Sequence, residues 1–303
     1  MMKRVDIIGA ATAFGQPKLG VDLGPDALRY ANLIEEIEKM NIEVNDKGNI
    51  YSDFKVDAST HSRRSENNLK NYEQVVDFSE KLAAAADESV RAGAFPLVIG
   101  GDHSLSIGSL AGISPHYDNL GVIWYDAHGD LNDSASSPSG NIHGMPLAIA
   151  CGVGDEKLVN IHKTGAKIKP ENVVLIGMRD LDEGETRYIK DRNILTYTMR
   201  DIREKGISAV MSDALEYLEA KTDGIHLSLD VDALDPEETP GTGTPVGEGL
   251  SLWETLLAMN ILHDSGSITS MDLVEVNPLL DEGNMTAEKA VAMASALFGR
   301  KQK

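Results

Sequence analysis

Short runs of Val, Ile and Leu recur along the chain, separated by stretches in which apolar residues return every three or four positions. The runs Val5–Ile8, Leu97–Ile99, Val122–Tyr125, Val173–Ile176, Ile225–Leu229 and Ile268–Val274 are rich in apolar residues, as strands buried on both faces are, and they are predicted to be β-strands. Pro25 opens a helical pattern with Leu28, Ala31, Ile34 and Ile37 on one face; proline in the first turn gives up no hydrogen bond. A second pattern runs through Leu69, Tyr72 and Val76 to Val90, a third carries Val210, Met211, Ala214, Leu215 and Leu218, and the last carries Ala290, Met293, Ala294 and Leu297. The alternation predicts an α/β fold, a mostly parallel sheet with helices on both faces, layered as an α/β/α sandwich.

In such sheets ligands bind beyond the carboxyl ends of the strands. The unusual polar clusters of this chain follow predicted strands: Gly100-Gly101-Asp102-His103-Ser104, Asp126-Ala127-His128-Gly129-Asp130, Asp230-Val231-Asp232, and Glu275. They are spread from position 100 to 275, so dividing the chain would break one site apart, and residues 1–303 are read as a single domain. No internal repeat, low-complexity tract or Pro/Ser-rich linker interrupts them.

Composition narrows the field. With 42% hydrophobic and 25% charged residues among 303, the chain has material for a sizeable core, which argues against disorder. No apolar run reaches the roughly 18 residues of a membrane helix, and the start Met1-Met2-Lys3-Arg4 lacks the apolar stretch of a secretory signal. The single cysteine, Cys151, excludes an intramolecular disulfide and any CxxC motif and is read as a buried small hydrophobe; a reduced, cytoplasmic protein is expected. With 28 Lys+Arg against 48 Asp+Glu, the net charge of −20 argues against nucleic-acid binding and suits a small cationic substrate.

Asp126, His128 and Asp130 are spaced i, i+2, i+4, which in extended chain puts all three side chains on one side, and Asp230 and Asp232 repeat the spacing. With His103 the set holds four carboxylates and two imidazoles. Packed together without a cation, the carboxylates would repel until some protonated; two divalent cations would remove the conflict. Carboxylates with a minority of imidazole and no thiolate suit Mn²⁺, with Co²⁺, Fe²⁺, Ni²⁺ or Zn²⁺ as alternatives. Six ligands shared between two ions require bridging carboxylates and set the ions about 3.5–4 Å apart, where a shared water can ionise near neutral pH. Each part alone has an ordinary reading: Asp230-Val231-Asp232 as a turn, His103 as a structural histidine. Leu234 and Asp235 rule out an EF-hand. GxSxG, HExxH and P-loop motifs are absent, and Gly241-Thr242-Gly243 reads as a loop.

The three segments Gly100–Ser104, Asp126–Asp130 and Ser228-Leu229-Asp230-Val231-Asp232-Ala233-Leu234-Asp235-Pro236 resemble the signatures of the ureohydrolases, the family of arginases, agmatinases and formimidoylglutamases. Gly15-Gln16-Pro17, Pro25–Arg29, Asn132, Ser139-Gly140-Asn141-Ile142-His143-Gly144, Gly177–Asp182 and Glu275-Val276-Asn277-Pro278 resemble the arginase branch, so the resemblance covers nearly the whole chain. Gly129 stands where many relatives carry Thr, and the loop Asp133–Pro138 is individual to this chain. The resemblance implies a sheet of eight strands and two Mn²⁺ per subunit. One ion would be held by His103, Asp126, Asp130 and Asp230, the other by Asp126, His128, Asp230 and Asp232. It implies hydrolysis of L-arginine to L-ornithine and urea by a metal-bridging hydroxide, in a homo-oligomer, trimer or hexamer.

Catalytic roles carried over in this way fall on Asp130 as proton acceptor and donor, His143 as proton shuttle and Glu275 at the guanidinium. Asn132, Ser139 and Asn141 would face the substrate carboxylate and Asp182 the α-amino group, Glu275 with the Thr244 loop nearby would lie at the guanidinium end, and His128 and Gly140 would also bind the substrate. Asp182 also reads as a helix cap, Ser139 as a turn residue and His143 as a structural loop histidine. Arg179 is read as a structural ion-pair partner, and His61, His116, His162, His226 and His263 as residues without cluster partners. The rivals are a ureohydrolase acting on agmatine or another guanidino compound and, from a different class, a non-catalytic metal-binding assembly protein.

Overall fold

All six predicted strands form, and two more join them. The computed structural model describes residues 4–55 and 68–300; Met1–Lys3 and His61 lie outside the described residues. The strands are β1 Arg4–Ala10, β2 Glu43–Ile50, β3 Phe95–Ile99, β4 Leu120–Tyr125, β5 Val173–Met178, β6 Leu195–Thr198, β7 Gly224–Asp230 and β8 Ile268–Val274. They make one sheet in the order β2-β1-β3-β8-β7-β4-β5-β6, with every adjacent pair parallel. The two strands missing from the sequence reading are the two edges. β2 carries Glu43, Asp46 and Lys47, and β6 has four residues; an edge strand with solvent on one side needs no apolar run, and charge there discourages pairing with another chain.

The helices lie where the periodicity places them, with two changes at their starts. The pattern opened by Pro25 is two helices, Gly24–Tyr30 and Leu33–Glu38, because Asn32 takes a left-handed φ of 65° between them. Leu28, Leu33 and Ile37 nevertheless share the buried side. The second helix begins at Tyr72 rather than Leu69, after Asn71 at φ 51°, whose amide donates to the Phe14 carbonyl. Asparagine tolerates this region better than most residues because its short side chain bonds locally.

One face of the sheet packs Ile7, Leu97, Tyr125, Leu227 and Met271 against the helices Ile207–Glu219, Leu252–Ser265 and Met285–Leu297. On the opposite face the centre is buried but polar. His226 on β7 bonds Ser270 of β8 at 2.9 Å and lies 3.3 Å from Asp272, which also accepts from Ser106 and Ser109 of the helix Ser106–Ile113. His226 therefore has partners, contrary to the sequence reading, and it is a structural residue of the core. His116 and His162 also have one, both facing Asp87 at 2.9 and 3.7 Å, and His263 bonds the Leu297 carbonyl. These partners are remote in sequence, which is why spacing did not reveal them.

The topology positions the site. β3, β8, β7 and β4 are adjacent at the middle of the sheet, and their carboxyl ends deliver the four polar clusters side by side. Cys151 is buried, and burial pushes its thiol up to about 12. We expect iodoacetamide at pH 8 to label the folded protein roughly a thousandfold more slowly than the urea-unfolded chain, where the thiol returns to its ordinary range; mass spectrometry of a labelling time course reads the difference.

Candidate metal centre

Two consecutive glycines turn the chain after β3. Gly100 and Gly101 have φ of 75° and 74°, and a Cβ on Gly101 would sit 2.3 Å from the Ala10 carbonyl oxygen. The turn delivers Asp102, whose carboxylate accepts from the Ser104 and Gly15 amides, and then His103. The His103 ring stacks on Trp124 with centroids 4.2 Å apart and planes 4° from parallel, and Nε2 bonds Ser228 Oγ at 2.7 Å. Face and edge being fixed, Nδ1 points at the other clusters. A hydrogen bond on the remote ring nitrogen is how a ligating histidine is commonly oriented.

Three carboxylate oxygens converge on that nitrogen: Asp126 Oδ2 at 2.9 Å, Asp130 Oδ2 at 3.1 Å and Asp230 Oδ2 at 3.2 Å. His128 Nδ1 in turn lies 3.3 Å from Asp126 Oδ1 and 3.2 Å from Asp232 Oδ2. Asp126 thus offers one oxygen to each imidazole and links the groups His103–Asp126–Asp230 and Asp126–His128–Asp232. Asp230 stands with the first group; its expected share in the second is not seen in these contacts.

The expected strand alternation is not what gathers these side chains. β4 ends at Tyr125, Asp126–Asp130 bends out of the sheet, and Val231–Ala233 is a 3₁₀ turn. In both loops the first aspartate accepts the amide of the residue two ahead, His128 N to Asp126 Oδ1 at 2.7 Å and Asp232 N to Asp230 Oδ1 at 2.8 Å. These Asx turns hold one oxygen and direct the other inward. Asp130 takes φ 51° and Glu275 φ 66°; among the described residues six of the ten positive-φ non-glycines are asparagines, so a carboxylate residue in that region twice at one site is an unusual concentration. Such backbone costs about 1–3 kcal/mol each and persists where the surroundings over-determine it. Here they do: the Asp130 carbonyl accepts from Leu147 and Ala148, and the Glu275 amide donates to Gly101.

The electrostatics follow from crowding. Burial raises the carboxyl pKa of Asp230 well above the ordinary range, and the charges of Asp232 and Asp126 add to it; burial pushes Asp232 up to about 6. Asp130 is also raised, by burial and then by Asp126. Burial works the same way on Asp126, but the nearby imidazoles of His103 and His128 outweigh it and hold its pKa down. Against its own burial, His103 is held well above the usual imidazole range by Asp126, Asp130 and Asp230. One N–H cannot serve three carboxylate oxygens, and His103 Nδ1 and Asp126 Oδ2 are both buried without a properly aligned hydrogen bond although only 2.9 Å apart. Oxygen-rich donors with two imidazoles and no thiolate, held at this spacing, fit divalent cations.

Arg179 is structural, but not through an ion pair. Its guanidinium donates to the carbonyls of Gly177, Asp232, Ala233, Leu234, Val246 and Gly247, fastening the end of β5 to the loops after β7.

Six of the predicted substrate residues line a pocket over this cluster, and Gly140 and Glu275 are not among its lining residues. Asn132, Ser139, Asn141 and His143 are on its wall with His103, His128, Asp130, Asp230, Asp182 and Thr244. Thr244 Oγ1 donates to Asp232 Oδ2 at 3.1 Å, and Asn132 Nδ2 to Asp182 Oδ2 at 2.8 Å. Gly140, at φ 72°, shapes the loop between Ser139 and Asn141. Glu275 is 1% exposed, with Oε1 accepting from the His103 amide and 3.5 Å from His143 Nδ1, and Oε2 accepting from Gln16 Nε2. Asp182 is also a cap: it forms a capping box with Glu185 at the start of the helix Glu183–Arg192. Ser139 Oγ accepts the Asn141 amide, as a turn serine does.

Sequence reasoning missed Trp124, Ser228, Gln16, Glu185, Asp180 and Ser137. Glu185 accepts from the Asp182 and Leu131 amides, and burial pushes its carboxyl up to about 7. Asp180 lies 3.8 Å from His128 Nε2, and Ser137 bonds the Gly140 amide. Gln16, Ser228 and Asp180 lay inside quoted motifs; nothing in the sequence marked the others.

Residues 3–299 match the model of the arginase family. The arginase of Staphylococcus aureus strain MRSA252 is 55% identical over 300 residues, covering 98% of this chain and 97% of that protein. The crystal structure of the Bacillus caldovelox arginase superposes with a TM-score of 0.95 at 49% identity over 100% of both chains. That of the Entamoeba histolytica arginase in complex with L-ornithine does so at 0.90 and 33% identity, covering 99% of each.

A cation that binds only the folded cluster stabilises it by mass action, about 2.7 kcal/mol at a hundredfold excess over Kd. Adding a divalent transition-metal ion to chelator-treated protein is therefore expected to raise the thermal midpoint by several degrees. Asp126→Asn, which removes the carboxylate shared by both groups, is expected to lose most of that shift in differential scanning fluorimetry.

Proposed function

The chain belongs to the arginase family, and on that premise we propose that it hydrolyses L-arginine to L-ornithine and urea with two Mn²⁺ per subunit at the carboxylate–imidazole cluster. The observation that carries this reading is the pair of donor groups sharing Asp126, of which His103, His128 and Asp230 line a pocket together with Asn132, Ser139, Asn141 and the carboxylates of Asp182 and Glu185. The donors assigned are His103, Asp126, Asp130 and Asp230 for one ion and Asp126, His128, Asp230 and Asp232 for the other. Bound there, such cations supply positive charge that neutralises the carboxylates and lowers the pKa of water toward 7.

A guanidinium is a resonance-stabilised cation and a poor electrophile. The carbon is attacked by oxygen, the bond to the side-chain nitrogen breaks, and the departing amine takes a proton. Asp130 lines the pocket and is 6% exposed, so it is assigned to accept the proton of the attacking water and pass it to that amine. Glu275 supplies negative charge beneath the guanidinium. His143 is on the pocket wall, and although burial favours its neutral form, the Glu275 carboxylate holds its pKa above the ordinary value. An imidazole so placed exchanges protons with solvent. At the other end Asn132, Ser139, Gly140 and Asn141 receive the α-carboxylate and Asp182 the α-amino group. His128 and Thr244 stand beside the guanidinium.

The chain acts as one domain over residues 1–303, since the strands that deliver the cluster run from position 95 to 274. It works as a homo-oligomer in the cytoplasm; among the described residues no helix is long and apolar enough to cross a membrane.

The test is urea release from L-arginine and from agmatine by chelator-treated protein titrated with Mn²⁺. Activity with arginine that saturates near two ions per chain is expected; a preference for agmatine, or loaded protein that releases no urea, would reject the reading. His143→Asn is expected to lower kcat at least about tenfold at pH 7–10, with added imidazole restoring part of it. Unchanged turnover across that range removes the shuttle role.

A further inference from the structure

The pocket wall contains Asp130, Asp180, Asp182, Glu185 and Asp230, but no lysine or arginine among the described residues lines it. An α-carboxylate entering this protein of net charge −20 meets like charge on its way to Asn132, Ser139 and Asn141. A cation bonds the last of these. Lys70 Nζ lies 2.8 Å from Asn141 Oδ1, and Asn141 is a pocket residue 9% exposed. The two segments are locked together: the Lys70 amide donates to the Gly140 carbonyl at 2.9 Å, and a Cβ on Gly140 would come within 2.4 Å of the Asn68 carbonyl oxygen.

An ammonium has donors only, so the amide of Asn141 must turn its oxygen to Lys70. Its NH₂ is then the donor left for the pocket. An asparagine without that bond would have to be turned by the carboxylate itself on binding, whereas Lys70 holds it turned beforehand. We propose that Lys70 is a specificity-determining positioning residue, which orients the Asn141 amide and sets positive charge behind it so that the pocket selects guanidino compounds bearing an α-carboxylate. The ammonium polarises the amide it bonds. The inference rests on the reading that Asn141 faces the substrate carboxylate.

The experiment compares Lys70→Met, Lys70→Gln and Lys70→Arg in the Mn²⁺-loaded full chain, with L-arginine and with agmatine, which is arginine without the carboxylate. In Lys70→Met we expect KM for arginine to rise about tenfold, as for loss of a charge-assisted bond, with kcat and bound metal within twofold of the unaltered protein. Agmatine, measured as substrate or as competitive inhibitor, is expected to bind as before. Lys70→Gln keeps a donor for Oδ1 without the charge and should fall between; Lys70→Arg should restore arginine binding. A purely structural lysine would move stability, metal content or kcat and treat both ligands alike, and either that pattern or an unchanged KM for arginine overturns the proposal. Urea release by the unaltered protein reports separately on the proposed reaction.

Discussion

Too many negative charges in one buried place is the condition around which this molecule is arranged. Asp126, Asp130 and Asp230 each bring an oxygen within 3.2 Å of one imidazole nitrogen, and Asp126 turns its second oxygen to the other imidazole with Asp232. Such a cluster costs free energy unless cations neutralise it, and it survives only if the scaffold denies the side chains an escape. Four adjacent parallel strands ending at one rim provide that scaffold.

Denying escape takes more than strands. Each D-x-H or D-x-D loop ties one aspartate oxygen to the amide two residues ahead. Trp124 and Ser228 fix the plane and the edge of the His103 ring. Arg179 gathers carbonyls from three segments, so the loops after β5 and β7 move together. Beneath them the buried Ser106–Ser109–Asp272–His226 network gives the sheet centre a polar but bonded interior. Apolar packing there would be adequate for stability; hydrogen bonds add a fixed geometry, because each donor must meet a particular acceptor.

The pocket above the cluster mixes carboxylates with neutral polar groups. Asp182 and Glu185 are cross-linked through the capping box, and Asp182 also accepts from the Asn132 amide. Ser139 accepts the Asn141 amide, and Lys70 braces Asn141. On the proposed function, the cationic tail of a zwitterionic amino acid lies toward Glu275, its ammonium toward Asp182 and its carboxylate toward Asn141; Asp182 and Ser139 also close a helix start and a turn.

The chain sequence alone determined a good deal. Apolar runs placed six strands, because strands buried on both faces are mostly apolar, and the resemblance to the ureohydrolases supplied the eight-stranded sheet and implied a ligand set. Both edge strands escaped notice because solvent removes the requirement that made the others visible. The break at Asn32 escaped because apolar periodicity continues across it. Within the site, Asp126, His128, Asp130, Asp230 and Asp232 were legible as a pattern, but the reason they converge was not: spacing suggested an extended chain, whereas Asx turns do the work. Trp124, Ser228, Gln16, Glu185, Arg179 and Lys70 act through contacts with residues far away in sequence, such as Gln16 with Glu275 or Lys70 with Asn141. Residue types and spacings encode which chemistry is on hand; only the fold decides which distant groups meet, because strand order and loop closure are properties of the whole sheet and not of any segment of it.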